Sequence, residues 1–178
     1  MEEIQQTPPK PNIISTIANV IDRFLIWVSV AIGVALTFNM IIAVAFRYVL
    51  NNPIFWADEL SLYLFCWITF LGACLGVKRS DMAAVTILID RLSPKLRLIT
   101  DIFIQLSTLL FASIIGYYSI LWVKSPSVVN QVSATIPINL WILYSVVPIA
   151  MLCIIIFTID HINKLVQAYI FRARRDAK

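Results

Sequence analysis

Charged residues divide this chain into segments, and four of those segments are long and uncharged. The runs contain 23, 18, 22 and 35 residues, and lie between Arg23 and Arg47, Glu59 and Lys78, Asp101 and Lys124, and Lys124 and Asp160. A helix of ~20 apolar residues crosses the hydrocarbon core of a bilayer, and lipid requires each backbone amide to bond within its own segment. The pattern therefore predicts an all-α integral membrane protein with four transmembrane spans, at about residues 24–46, 60–77, 102–123 and 137–159.

The fourth uncharged run is longer than one span, and its first part has a different composition. Residues 125–136 are rich in Ser, Asn, Gln and Thr, which is typical of a loop. Pro137 is a suitable first residue for the helix that follows. Asp160 and His161 then end the span, and the basic segment after them is predicted to be a solvated tail.

Two further segments repeat apolar residues at helical spacing but carry polar residues on the opposite face. They cover residues 12–23, before the first span, and residues 84–93, between the second and third spans. Because helices with this pattern lie in the headgroup region, we expect two amphipathic interfacial helices. Ser93-Pro94 has the form of an N-cap followed by proline at the first helical position, so the third helix is expected to start there.

The composition fits a membrane protein, and the placement of charge indicates its orientation. Hydrophobic residues make up 60% of the chain and charged residues 13%, against about 45–50% and 25% in soluble domains. Of the 14 basic residues, all but Arg47 and Lys124 lie before the first span, between the second and third, or after the fourth. By the positive-inside rule both termini are cytoplasmic. The net charge of +4 is thus a topology signal and does not indicate nucleic-acid binding.

The spans lack the side chains that catalysis, redox chemistry or ion coupling need. None contains an acidic, basic or histidine residue, whereas an autonomous ion-coupled carrier places such a group near the middle of the bilayer. The only histidine, His161, follows the last span, and the three cysteines form no CxxC pair. We therefore predict no enzyme activity, no cofactor and no metal. The polar residues within the spans are expected to form interhelical hydrogen bonds; they are Thr37, Asn39, Thr69, Gln105, Ser107, Thr108 and Ser113.

Charged residues gather where the first span ends and the second begins. Arg47 ends one span, and Asp58 and Glu59 precede the other, after a turn at Asn51-Asn52-Pro53. Two interpretations are open: a solvated cluster, or a packed ion pair across the tight hairpin. Side chains at the span ends are predicted to anchor the protein in the headgroup region; these anchors are Trp56, Arg91, Lys95, Trp122 and Trp141.

The second span carries Gly72 and Gly76 at GxxxG spacing. Two glycines one turn apart allow the backbone of another helix to approach closely in lipid. That helix belongs either to this chain or to a partner subunit, and the sequence leaves both alternatives open.

One stretch of the chain resembles a known family. The matching elements are Arg47, Pro53, Trp56, Glu59, Trp67, Gly72-Ala73 and, in the following loop, Asp90-Arg91-Leu92. With four spans and cytoplasmic termini, the chain is similar to the small membrane subunit, of the DctQ type, of tripartite ATP-independent periplasmic (TRAP) transporters. Met82 and Thr86 depart from the family pattern, which often has a histidine and an acidic residue at these positions.

The resemblance implies that the chain is one part of a sodium-coupled transport system in the bacterial inner membrane. In this family a periplasmic substrate-binding protein captures an organic acid, and a large multi-span membrane subunit holds the substrate and sodium sites. The small subunit is non-catalytic, braces the scaffold of the large subunit and helps to dock the binding protein. Together with the charge cluster and the GxxxG spacing, the resemblance predicts a set of residues for structural contacts or for the partner interface: Arg47, Trp56, Asp58, Glu59, Trp67, Gly72 and Gly76.

The resemblance and the charge pattern together predict an ion pair between Arg47 and Glu59, with Trp56 anchoring the hairpin. The alternative function is a small autonomous four-helix channel or carrier that acts as a homodimer through Gly72 and Gly76. Sialic acid, a dicarboxylate and other organic anions are all compatible with the sequence as the transported solute.

Overall fold

The protein is an all-α bundle in a computed structural model that describes residues 13–79 and 94–176. The helices in these ranges are α1 (Ile13–Tyr48), α2 (Phe55–Arg79), α3 (Pro94–Val123), α4 (Pro126–Val129), α5 (Leu140–Tyr144) and α6 (Val146–Asp176). Four segments are long and apolar enough to cross a membrane: Ile14–Tyr48, Phe55–Arg79, Ile99–Val123 and Leu140–Gln167. The predicted fold class, all-α with four spans, is confirmed.

The helices are longer than the uncharged runs, because a charged residue ends a span without ending a helix. Helix α1 has 36 residues and is ~54 Å long at ~1.5 Å per residue, against ~30 Å for the hydrocarbon core. Residues 13–23, predicted as a separate surface helix, and residues 24–46, predicted as the first span, are parts of this one helix. The location of residues 13–23 at the membrane surface stays a prediction.

The last span is built from two helices instead of the single segment 137–159. Helix α5 stops at Tyr144, and α6 begins at Val146. Pro148 explains this break, because it has no N–H to donate to the carbonyl of Tyr144, four residues earlier. The solvated tail predicted after His161 is helical: α6 runs on to Asp176, since no Gly or Pro interrupts it.

Helix α3 begins at Pro94, where the Ser93-Pro94 pair predicted a helix start. Lys95 therefore lies in its first turn. The interfacial helix predicted at residues 84–93, which includes Arg91 and Thr86, lies outside the described residues, and so does Met82.

Helix α6 occupies the centre of the bundle. It packs against α2 and α3 and, over a shorter stretch, against α1, while α1 packs mainly against α2. The core residues are apolar and often small: Ala18, Leu25, Leu71, Cys74, Ala112, Ala150, Met151, Ile154 and Phe157. Small residues allow helix backbones to approach closely, which in lipid replaces the hydrophobic drive that water supplies.

Candidate functional site

Polar side chains gather at the two ends of the bundle. We name these the Arg47 end, which comprises the α1–α2 turn and the loop at residues 130–139, and the Lys78 end, where α2 meets residues 157–164 of α6. At the Arg47 end the chain turns at Asn51, whose φ of 49° lies in the left-handed region. Asparagine tolerates this conformation better than most residues. The turn brings the start of α2 beside the end of α1.

Arg47 pairs with Asp58 across this turn. The Nη2 atom of Arg47 lies 2.5 Å from Oδ2 of Asp58. The two side chains keep 47% and 63% of their full exposure. Asp58 also lies in the first turn of α2, where a negative charge is favourable. The pair is therefore solvated, and it accounts for only ~0–1 kcal/mol of stability by itself.

Glu59 does not pair with Arg47, so that prediction was wrong. Its Oε1 atom accepts hydrogen bonds from the hydroxyls of Tyr63 and Ser133. Its Oε2 atom accepts from the backbone N–H of Thr135, at 2.9 Å, and from the Thr135 hydroxyl. The cause is helical geometry: successive residues point about 100° apart. When Asp58 faces Arg47, Glu59 faces the loop at residues 130–139.

The loop at residues 130–139 has a defined backbone of its own. Val132 and Asn139 form an isolated antiparallel bridge. The amide of Ser133 donates to the carbonyl of Ile138 at 3.0 Å, and that of Leu140 donates to the carbonyl of Gln131 at 3.0 Å. Together with the bonds to Glu59, this holds the loop against the start of α2.

Asn39 ties α1 to α2 just inside the Arg47 end. Its buried side chain donates from Nδ2 to the carbonyl oxygen of Ala57 and to Oγ of Ser61, both at 2.8 Å. The interhelical role predicted for Asn39 is confirmed. Four other polar residues bond instead to the carbonyl four positions earlier in their own helix, so the same prediction was wrong for them: Thr37, Thr69, Thr108 and Ser113.

Four of the five tryptophans lie towards the Arg47 end or within the bundle, and they fall into two groups. Trp67 is half-buried, and its Nε1–H donates to the carbonyl of Leu143 at 3.2 Å, so its indole serves a contact within the chain. Trp56, Trp122 and Trp141 are exposed at the Arg47 end. An anchoring role for these three in the headgroup region stays a prediction.

The Lys78 end holds a buried ion pair that the sequence did not reveal. Nζ of Lys78 lies 3.0 Å from Oδ2 of Asp160, and Nζ of Lys164 lies 2.7 Å from the same oxygen. The Lys78 and Asp160 side chains are 10% and 2% exposed. His161 Nε2 lies 3.1 Å from the carbonyl oxygen of Lys78, in the last turn of α2. The i, i+4 spacing of Asp160 and Lys164 was the only sequence signal of this cluster.

Gly72 and Gly76 make no close contact with the other helices that the structure describes. Both are exposed, and a Cβ built on either would have no described atom within 4 Å. The alternative of packing against another described helix of this chain was therefore wrong, and contact with a partner subunit stays a prediction.

Two other glycines pack closely instead. A Cβ at Gly33 would lie 3.1 Å from Cδ1 of Ile68 on α2, and one at Gly116 would lie 3.2 Å from Cβ of Met151 on α6. The sequence signal for Gly116 is Ala112, one turn earlier, because small residues four apart form a helix contact as GxxxG does.

The cysteines are free, and Cys74 is a buried core residue whose Sγ lies 3.3 Å from the carbonyl oxygen of Ala150. In the described part of the chain, no three His, Cys, Asp or Glu side chains come together in a way that could hold a metal ion. The polar groups at both ends thus join helices to one another.

Comparison with known proteins agrees with this architecture. Residues 36–168 match the family described as the DctQ component of tripartite ATP-independent periplasmic transporters. The chain is similar to a putative TRAP transporter small permease protein of Haemophilus influenzae, with 32% identity over 48% of this chain and 56% of that protein. It is 36% identical to the C4-dicarboxylate TRAP transporter small permease protein DctQ of Vibrio cholerae, over 43% of this chain and 32% of that protein.

A third relative is much longer. The sialic acid TRAP transporter permease protein SiaT of Haemophilus influenzae is 26% identical over 45% of this chain, but the match covers only 13% of that protein. The chain thus spans about half or less of the length of the relatives it matches. The family match nevertheless covers most of the chain, and with four helices able to cross a membrane it shows that this multi-pass membrane protein belongs to the DctQ component family of TRAP transporters.

Proposed function

We propose that this chain is the small membrane subunit of a sodium-coupled TRAP transporter for an organic acid, and that it braces the scaffold of a large permease subunit. The observation that carries the proposal is the absence of any charged residue or histidine from the four predicted spans. Ionisable groups inside the membrane typically mark the ion and proton pathways of coupled carriers. This family member therefore depends on another subunit for the substrate and sodium sites.

The two ends of the bundle support the bracing role. At the Arg47 end, Asn39 joins α1 to α2, and Glu59 joins α2 to the loop at residues 130–139. At the Lys78 end, Asp160 joins α6 to α2. Helices linked at both ends resist sliding past one another. A unit of this kind suits a static support better than a moving part.

The proposal includes the location and the partners. The chain lies in the bacterial inner membrane with both termini in the cytoplasm, as the distribution of basic residues predicts. The Arg47 end then faces the periplasm, where a substrate-binding protein docks. The names of two relatives, which refer to C4-dicarboxylate and sialic acid, support an organic acid as the solute.

Reconstitution tests this function. The chain is purified alone and together with the large permease subunit of its own transport system, and both samples are placed in liposomes with an inward sodium gradient. We expect uptake of the organic acid only with the large subunit and the binding protein present. Uptake by the small chain alone would overturn the proposal in favour of the autonomous carrier or channel.

A further inference from the structure

An open groove of about 530 Å³ runs between α1 and α2 at membrane depth. The residues that line the groove are uncharged. All but one belong to α1, where the small ones are spaced one helical turn apart, and the remaining residue is Ile68 of α2. The lining residues are Ser29, Val30, Gly33, Val34, Thr37, Phe38 and Ile68.

The groove continues along an exposed face of α2. Gly72 and Gly76 follow Ile68 at spacings of four and eight residues, so all three lie on one side of that helix. Gly72, Ala73 and Gly76 are exposed and leave the helix backbone uncovered over a full turn. Ser29, Gly33 and Thr37 on α1 thus face the same side of the bundle as the glycines of α2.

Within residues 13–79 and 94–176, no close helix packing explains the two glycines of α2. Glycine lowers helix stability relative to alanine. Gly33 and Gly116 offset that cost with close contacts to Ile68 and Met151, whereas Gly72 and Gly76 have no such contact among the described residues. Lipid chains adapt to any surface and do not require a bare backbone. A helix from another subunit benefits from an uncovered backbone, because it must approach closely to gain packing energy.

A second observation points to a protein occupant. The Oγ atom of Ser29 is buried and has no hydrogen-bond partner in the described part of the chain. An unpaired polar atom in an apolar medium is unfavourable, and a lipid tail offers no acceptor. Thr37 lies two turns away on the same face, but its hydroxyl already donates to the carbonyl of Gly33. Of these two hydroxyls, that of Ser29 is the one without a partner among the described residues. Ser29 lines the groove, so an oxygen on a helix packed there would supply an acceptor for its hydroxyl.

We propose that a transmembrane helix of the large permease subunit lies in this groove, against Ser29 and Gly33 of α1 and Gly72 and Gly76 of α2. The inference rests on the proposed function. SiaT supports this occupant, because there a segment similar to part of this chain belongs to a far longer permease polypeptide. In that relative, therefore, permease sequence is covalently attached to the segment that this chain resembles.

The test measures how much large permease subunit co-purifies with the small subunit in mild detergent. Leucine is placed at Gly72 or Gly76, where an added Cβ has no described atom within 4 Å. The control is Ser113→Leu, at an exposed position on α3 whose hydroxyl bonds only to its own helix. We expect Gly72→Leu and Gly76→Leu each to reduce the co-purified large subunit about tenfold, which corresponds to ~1.4 kcal/mol of binding free energy. Ser113→Leu should leave it unchanged.

A misfolding control separates loss of binding from loss of structure. Gly116→Leu meets Met151 inside the bundle, so it should lower the unfolding temperature of the isolated small subunit, whereas Gly72→Leu should not. Co-purification of Gly72→Leu and Gly76→Leu at the wild-type level would overturn the groove while leaving the proposed function intact. A fall in their unfolding temperature like that of Gly116→Leu would also overturn it. Failure of the wild-type chain to co-purify would refute the proposed function and the inference together.

Discussion

The carboxylate of Glu59 accepts hydrogen bonds from both the backbone N–H and the hydroxyl of Thr135, although the two residues are 76 positions apart. Ser133, on the same loop, bonds to the other carboxylate oxygen. Hydrogen bonds to an ionised acceptor are stronger than those between neutral groups. One acidic side chain at the start of α2 therefore fixes the conformation of a loop that precedes α5.

Glu59→Ala should lower the unfolding temperature and free the loop at residues 130–139. The hydroxyls of Ser133 and Thr135 lose a shared acceptor, and the Thr135 amide loses its partner. Faster amide hydrogen exchange at Thr135 is the measurement. Asp58→Ala is the matched control, because Asp58 is the neighbouring carboxylate and bonds to Arg47. Equal rates of amide hydrogen exchange at Thr135 in the two variants would contradict the hydrogen-bond network around Glu59.

Arg47→Ala should change the free energy of unfolding by no more than ~1 kcal/mol, because the Arg47–Asp58 pair is exposed. A charge exchange identifies the partner. Arg47→Asp combined with Asp58→Arg should recover the stability lost by either single change. Arg47→Glu combined with Glu59→Arg should recover none of it, and any recovery there would favour the pair first predicted from the sequence.

Asp160→Asn should be more costly than any change at Asp58. Lys78 is 10% exposed and Asp160 2%, so removing the carboxylate leaves an ammonium group without its counter-charge. Breaking a buried pair in this way costs ~3 kcal/mol or more. Thermal unfolding in detergent measures the loss. The double variant Lys78→Met, Asp160→Leu should be more stable than Asp160→Asn alone, because it leaves no buried ammonium group at Lys78. A lower stability of the double variant would contradict this role of the buried ion pair.

Asn39→Leu should destabilise the contact between α1 and α2 by ~1 kcal/mol, the usual net value of a side-chain hydrogen bond. The side chain makes two such bonds, to Ala57 and Ser61. Thr37→Val is the control, since the Thr37 hydroxyl bonds only within α1. Denaturant unfolding should show a clear difference between the two variants, and comparable stabilities would contradict the role of Asn39.

Cysteine labelling tests the orientation. In a background without native cysteines, probes at Asn52 and Asn130 should react from outside the cell, and probes at Ser80 and Ala177 should not. The reason is the excess of basic residues in the loops that hold the latter pair. A reversed result at any one of the four positions would overturn the topology.

The sequence was informative where local chemistry decides the structure. Uncharged runs predicted the number of spans, and the chain has four helices long and apolar enough to cross a membrane. It was uninformative where the rotation of a helix decides the contact. Asp58 and Glu59 are adjacent carboxylates, and only the orientation of α2 in the bundle determines which of them meets Arg47.

The contacts of α6 were equally hidden. Asp160 meets Lys78 because two helices distant in sequence align along their lengths, and hydropathy carries no information on that alignment. The same limit explains the glycines. Gly72 and Gly76 have the stronger motif, but it is Gly33 and Gly116 whose helix faces point to a neighbour within the chain.

The central helix of the bundle is also the last of its four long helices along the chain. Until α6 is synthesised, Lys78 has no Asp160, Gly116 has no Met151 against it, and α3 lacks the helix on which it mainly packs. At that stage α1 and α2 can already pack against each other, whereas α3 lacks its main partner. The bundle is therefore completed only once α6 has been synthesised, and a chain that stops before Val146 lacks the helix that contacts both α2 and α3.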